Sequence, residues 1–352
     1  MAVIADDDGS VLLHRDGRVG RITLNRPRAI NALDHSMVRR IDAALLDWER
    51  DAEVRTVVIT GAGERGLCAG GDIRAIREDA LTGGGASRAF WRDEYRLNAR
   101  TARFPKPYVA VMDGIVMGGG VGVSAHGGLR IVTERSAIAM PEVGIGFVPD
   151  VGGTYLLSRA PGELGTHLAL TANRIGPGDA LLCGLADHFV PTARLGGFLD
   201  ALASVPAEEA IRAFAEPAPE GELGGQRPWI DACYDADTVE EIVGRLWAVG
   251  HPAAGKAAES IMNHSPTALK TTLLALRRAR ALPGLEEVLD QEYRVSCAFL
   301  GVPDLPEGIR AQVVDKDRTP RWSPSTLEAV PPAAVEAFFA PLGDAELGLT
   351  RP

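Results

Sequence analysis

The stretch from Lys106 to Arg159 constrains this chain most: KPYVAVMDGIVMGGGVGVSAHGGLRIVTERSAIAMPEVGIGFVPDVGGTYLLSR. It opens with an apolar strand-like run, Tyr108 to Met112, that ends at the turn Asp113-Gly114. Three consecutive glycines follow, Gly118, Gly119 and Gly120, and then small residues, Val121 to Ala125, that suit a buried helix. Glycine lets backbone approach a ligand closely. A glycine turn that opens a helix points unpaired N–H groups outward, where they favour negative charge. A polarised acyl carbonyl needs that environment. Two carboxylates lie downstream, Glu142 and Asp150, each preceded by a proline. The stretch therefore joins an oxyanion donor to two acid/base groups.

The flanking sequence repeats its pattern. Val11 to His14 and Val19 to Leu24 read as strands joined by Asp16-Gly17, a hairpin signal. A helix is expected from about Asp34 to Glu49, because Met37, Val38, Ile41, Leu45 and Trp48 recur at a helical period and Asp34 suits the N-cap. Val54 to Thr60 is a buried-strand run that leads into the glycine-rich loop GAGERGLCAGGDI. After a glycine-rich break at Leu81 to Ala86, Phe90 to Arg103 reads as a helix. Leu129 to Thr133 is a further strand, and beyond Arg159 helices dominate. Repeated strand-strand-helix units predict an α/β fold with stacked turns of sheet. Residues 215–229 are rich in Pro and Gly and read as an insertion or linker. The expected organisation is a spiral core over 1–205, insertion and linker helices over 206–250, and a helical region and tail over 251–352.

Bulk properties exclude several classes. With 352 residues, 46% of them hydrophobic, the chain is long enough to bury a large core. Its formal net charge of −10, with no basic tract, argues against a general nucleic-acid binder. No apolar run approaches the ~18 to 20 residues of a membrane helix. Cys68, Cys183, Cys233 and Cys297 are far apart and form no CxxC pair, so they read as reduced thiols of a cytoplasmic protein. The N-terminal MAVIADDDGS lacks the pattern of a signal or transit peptide. No metal-ligand constellation and no P-loop is present, since no Gly-Lys-Ser/Thr follows the glycines. There is likewise no GxSxG nucleophile elbow, because Gly122-Val123-Ser124-Ala125 lacks the second glycine.

NRPRAINAL, GLCAGGDI and the 106–159 stretch together resemble the crotonase, or enoyl-CoA hydratase/isomerase, superfamily. GGGVGVS, AMPEVGIGFVPDVGGTYLLSR and EGIRAQVVDKDRTPRW are similar to its 3-hydroxyisobutyryl-CoA hydrolase branch. The resemblance runs from about Val11 to Trp322. It implies a spiral of strand-strand-helix turns followed by a helical C-terminal region, and a homo-oligomer. It also implies an acyl-CoA substrate, with no cofactor beyond the coenzyme A of that substrate, and hydrolysis of a short branched 3-hydroxyacyl thioester in valine breakdown.

The resemblance assigns residues as well. Gly71 and Gly119 would give the two N–H groups of an oxyanion hole. Glu142 would be the central catalytic group, as nucleophile or as base for water, and its apolar neighbourhood disfavours its charged form. Asp150 would meet the substrate's 3-hydroxyl or move a proton; it also suits the N-cap of a helix over 152–159. Glu94 matches a substrate-contacting glutamate, although alone it reads as one charge on a solvated helix face. Arg28, and more weakly Lys316 and Arg318, would meet CoA phosphates, and the adenine would lie near Ala69 to Ile73. His126 reads as a hydrogen-bonded packing residue rather than a base. Hydratases of this superfamily carry a second glutamate where this chain has Gly122. Hydration needs water activation and protonation of carbon, so the glycine ranks hydrolase above hydratase or isomerase.

Overall fold

The computed structural model describes residues 9–350. The acidic segment 1–8, read above as lacking a targeting signal, lies outside them. Strands β1 (Val11–Asp16) and β2 (Val19–Leu24) form an antiparallel hairpin. Helix α1 (His35–Arg50) follows, and its N-cap Asp34 accepts from the Met37 N–H as expected. Then come β3 (Thr56–Gly61), α2 (Ile73–Ala80), α3 (Gly85–Ala102), β4 (Tyr108–Met112), β5 (Ile115–Met117), α4 (Gly119–Gly122), β6 (Leu129–Val132), β7 (Ala137–Ala139) and β8 (His188–Phe189). Helices α5 (Gly153–Ser158), α6 (Leu164–Thr171) and α7 (Pro177–Leu182) lie between the last two strands.

Two ladders organise the first half. The larger has the order β1-β2-β3-β4-β6-β8, parallel from β2 onward. Its central strands are continuous apolar runs because both faces are covered. Val58, Val109, Val111 and Ile131 point to the side covered by Phe198, Leu202 and Ile211. Val57, Ile59, Tyr108, Ala110 and Met112 point into the main core with α1. The second ladder is built of short pieces. Leu33 pairs with Gly71, Cys68 with Val116, β5 with β7, and Ile138 with Ile175. Each spiral turn thus contributes one strand to the large sheet and a few residues to this second ladder.

The rest is helical: α8 (Thr192–Ala201), α9 (Ala207–Phe214), α10 (Leu223–Tyr234), α11 (Val239–Ala248), α12 (Pro252–Met262), α13 (Pro266–Ala281), α14 (Leu285–Phe299), α15 (Asp304–Ile309), continued by a π-helical turn at Arg310–Val314, and α16 (Pro332–Ala337). The Pro/Gly break expected over 215–229 is narrower than its composition suggests. Residues from Leu223 on form α10 with Pro228 inside it, because Leu223, Trp229, Ile230, Cys233 and Tyr234 bury one face. All four cysteines are free and buried.

Candidate active site

Parallel register explains why distant glycines meet. Cys68 sits opposite Val116, and Val116 opposite Ile138. Continuing three residues past each pairing brings Gly71, Gly119 and Pro141-Glu142 off the same end of the second ladder. Ligands of parallel sheets gather at the carboxyl ends of strands. The approach is close: a Cβ on Gly119 would stand 3.3 Å from the Gly71 nitrogen and 2.7 Å from Glu94 Oε1. Among the described residues, no backbone group accepts from the N–H of Gly71 or Gly119. Gly118 has φ 47°, and a Cβ there would come to 3.0 Å from Glu142 Oε1. A side chain at 118 would therefore be strained and would displace the carboxyl.

The cleft at this edge, about 660 Å³ with its open mouth, is walled by Ile76, Phe90, Trp91, Phe147, Leu305 and Ile309. Trp91 stacks on Phe147 with centroids 5.3 Å apart, which stiffens one wall. Three carboxyls enter it: Glu94 from α3, Glu142 from the 3₁₀ turn Glu142–Ile145, and Asp150 from the loop before α5. They are only 2%, 6% and 6% exposed. Glu94 Oε1 and Glu142 Oε2 have no hydrogen-bond partner among the described residues. The solvated-face reading of Glu94 is thus overturned. Its helix looks polar in sequence, but Phe90, Trp91, Glu94, Tyr95, Leu97 and Asn98 are all buried.

Burial dominates the electrostatics. It pushes the Glu94 and Glu142 carboxyls well above the usual range, and the nearby Asp150 adds to both. Asp150 is pushed up to about 7 by burial, with the Tyr95 hydroxyl pulling back. A carboxyl raised toward neutral pH is suited to exchange protons there.

Asp150 is not the cap of α5. Its Oδ2 accepts from the Tyr95 hydroxyl at 2.7 Å. Glu292 of α14 caps the helix instead, accepting from Gly152 N at 2.6 Å, Thr154 N at 2.9 Å and Thr154 Oγ1 at 2.5 Å. Sequence reasoning missed Tyr95, Glu292 and Ser296. Glu292 left a trace, because it lies in step with the apolar Val288, Leu289, Tyr293 and Phe299, where a solvated glutamate has no place. His126 is a packing residue as expected: Nε2 bonds the Val151 carbonyl at 2.7 Å, and burial lowers the ring to about 4.

Gly122 cannot host a glutamate in this setting. A Cβ there would stand 2.7 Å from Val151 Cβ and 2.9 Å from Asn98 Nδ2. Arg28 is exposed on the 3₁₀ turn Pro27–Ala29 and does not line the cleft. Lys316 and Arg318 are also exposed. Ala69, Gly70, Gly71 and Ile73 do border it.

Comparison with known proteins bears on the family and the fold. The enoyl-CoA hydratase/isomerase family profile matches residues 19–339. The chain is 42% identical to the mitochondrial 3-hydroxyisobutyryl-CoA hydrolase of Gallus gallus, over 98% of this chain and 92% of that one. It is 40% identical to the Homo sapiens protein of the same name, over 99% and 92%. A crystal structure of a carnitinyl-CoA dehydratase from Mycobacterium thermoresistibile superposes with TM-score 0.94 at 54% identity, covering 97% of this chain and 99% of that one. One of an enoyl-CoA hydratase from Rhodobacter sphaeroides gives TM-score 0.90 at 47% identity, covering 96% and 99%. The chain belongs to the enoyl-CoA hydratase/isomerase family and has the crotonase fold, with curated relatives named 3-hydroxyisobutyryl-CoA hydrolase along nearly its whole length.

Proposed function

We propose that this protein hydrolyses the thioester of a short branched 3-hydroxyacyl-CoA, 3-hydroxyisobutyryl-CoA, in valine catabolism. The observation that carries the reading is the pairing of Glu142 with the two glycines. A buried carboxyl with one unpartnered oxygen shares the ladder edge with the N–H groups of Gly71 and Gly119. The thioester oxygen accepts from those two N–H groups, which stabilise the charge that develops on it. Glu142 then either attacks the carbonyl carbon to give a mixed anhydride or removes a proton from the attacking water. Water supplies the new acyl oxygen overall, and coenzyme A leaves as the thiol. Asp150 accepts from the 3-hydroxyl, and Glu94 borders the acyl group. The apolar walls suit a branched chain of few carbons. Exposed Arg28 is the candidate for the CoA phosphates, with Lys316 and Arg318 behind it. No cofactor enters this scheme.

A second reading, hydration or dehydration of an acyl-CoA, is favoured by the names of the two solved structures above. The space at Gly122 weighs against it, because Val151 and Asn98 occupy the place of a second glutamate. Thiol release from 3-hydroxyisobutyryl-CoA, run beside loss of the crotonyl-CoA double bond, separates the two. Fast thiol release with little hydration is expected. Fast hydration without thiol release overturns the proposal.

A homo-oligomer is expected from the family and is read by light scattering. No helix among the described residues is long and apolar enough to cross a membrane. The four cysteines, free and buried, suit a reducing compartment such as the cytoplasm. The vertebrate relatives are named as mitochondrial, and fractionation of the source cells decides the compartment.

A further inference from the structure

Several buried polar groups that the scheme above does not use converge on one short turn, Pro149 to Gly153. Tyr95 is fully buried on α3. Its hydroxyl lies 2.7 Å from Asp150 Oδ2 and 2.7 Å from the buried Ser296 Oγ of α14. A phenol has one hydrogen. When Tyr95 gives it to Asp150, Ser296 must donate to Tyr95, so the chain runs Ser296 to Tyr95 to Asp150. The turn is pinned on its other sides as well. Val151 has φ 52°, a costly conformation for a β-branched residue. His126 holds its carbonyl, and Glu292, one helical turn before Ser296, takes the Gly152 N–H. A strained turn held by partners from three elements keeps one side chain in one place.

The ionisable groups that act on Asp150 are Glu94 and Tyr95 from α3, Glu142 from the 3₁₀ turn and Glu292 from α14, while His126, from the segment after α4, bonds the carbonyl of the next residue, Val151. Asp304 of α15 turns away to Ser265 and Ser323. Among the described residues, no arginine or lysine belongs to this group. Among the described residues, the Tyr95 hydroxyl is the side-chain donor to Asp150, while Glu94 Oε1 and Glu142 Oε2 have no hydrogen-bond partner.

We propose that Tyr95, backed by Ser296, is a positioning residue that holds Asp150 as a hydrogen-bond acceptor toward the cleft and so sets the preference for 3-hydroxylated acyl groups. This rests on the reading of Asp150 as the partner of the substrate's 3-hydroxyl. A site built to pair a substrate hydroxyl rejects the analogue that lacks it, because its own buried polar group is then left unpaired. Without the phenol, Asp150 loses its fixed donor and its orientation, and that discrimination weakens.

The test compares kcat/KM for 3-hydroxyisobutyryl-CoA and isobutyryl-CoA in the full-length wild type and in the Tyr95→Phe, Ser296→Ala and Asp150→Asn variants. Tyr95→Phe is expected to lower the ratio of the two about tenfold or more, with isobutyryl-CoA hydrolysis within about twofold of wild type. Ser296→Ala is expected to lower it about threefold in the same direction. A Tyr95→Phe variant that slows both substrates equally, or keeps the ratio, overturns the inference. If that variant does not melt cooperatively, Ser296→Ala decides alone, and an unchanged ratio there overturns it. Asp150→Asn separates the two failures. A wild-type ratio in that variant rejects the underlying role of Asp150, whereas a lowered ratio there with an unchanged one in Tyr95→Phe rejects only the role of Tyr95.

Discussion

Glycine at 119 does two jobs that any side chain would spoil. It keeps the Gly71 and Gly119 N–H groups together, and it leaves room for the Glu94 carboxyl. Gly119→Ala would set a Cβ 2.7 Å from Glu94 Oε1 and 3.3 Å from the Gly71 nitrogen. We expect turnover to fall by about 10²–10³, the usual cost of losing an oxyanion donor, with the melting temperature changed little; steady-state kinetics beside a thermal melt check both. At this scale the sequence was informative where chemistry and backbone coincide. Glu142, Asp150 and the glycines stood out because a carboxylate after proline and a glycine run are unusual. Glu94 did not, because its neighbours Arg92, Asp93 and Arg96 make the helix look solvated. Only the three-dimensional arrangement shows that Glu94 faces inward. The close contact of Gly122 with Val151 was also hidden, since it depends on a turn whose φ no single residue announces.

Among elements, α14 is the one on which the site depends from behind. Its Glu292 satisfies three donors at the start of α5, and its Ser296 backs Tyr95. Replacing Glu292 by alanine strands two buried N–H groups and a hydroxyl, each costing about 1–3 kcal/mol when unpaired. We expect Glu292→Ala to destabilise the fold by roughly 3 kcal/mol or more, seen as a lower urea midpoint at unchanged slope. An unchanged midpoint would show that α5 needs no such cap. The helices themselves were largely legible, because α1, α11, α13 and α14 carry apolar stripes of clear period. The role of α14 was not. A cap supplied by a residue 140 positions along the chain leaves no local signature, and so in the sequence Asp150 looks suited to the cap as well as to the substrate.

In the whole molecule, the spiral and the C-terminal helices share one site. The ladder edge supplies the glycines and Glu142, while Leu305 and Ile309 of α15 close the cleft from the far end of the chain. Burying so many carboxyls together has a consequence for stability. Glu292 is raised from 4.5 to about 8 and Asp150 from 3.8 to about 7, both by burial first. Their folded values exceed their unfolded ones, so the folded protein binds more protons between these limits. The stability they contribute is complete below about pH 4 and is lost as pH rises through 7 to 8. The ligand-free protein should therefore melt at a lower temperature at pH 8 than at pH 5.5, and Glu292→Gln should flatten that decline; a melting temperature that rises over this range would contradict the raised values.

The central claim is that Glu142 performs thioester hydrolysis at the edge of the second ladder. The most direct measurement is free-thiol release from 3-hydroxyisobutyryl-CoA by the wild type and by Glu142→Gln, with binding of the thioester to the variant followed by calorimetry. The account predicts rapid release by the wild type, none detectable from Glu142→Gln, and binding retained in the variant. Near-normal thiol release from Glu142→Gln would contradict it and move the chemistry to another group in the cleft.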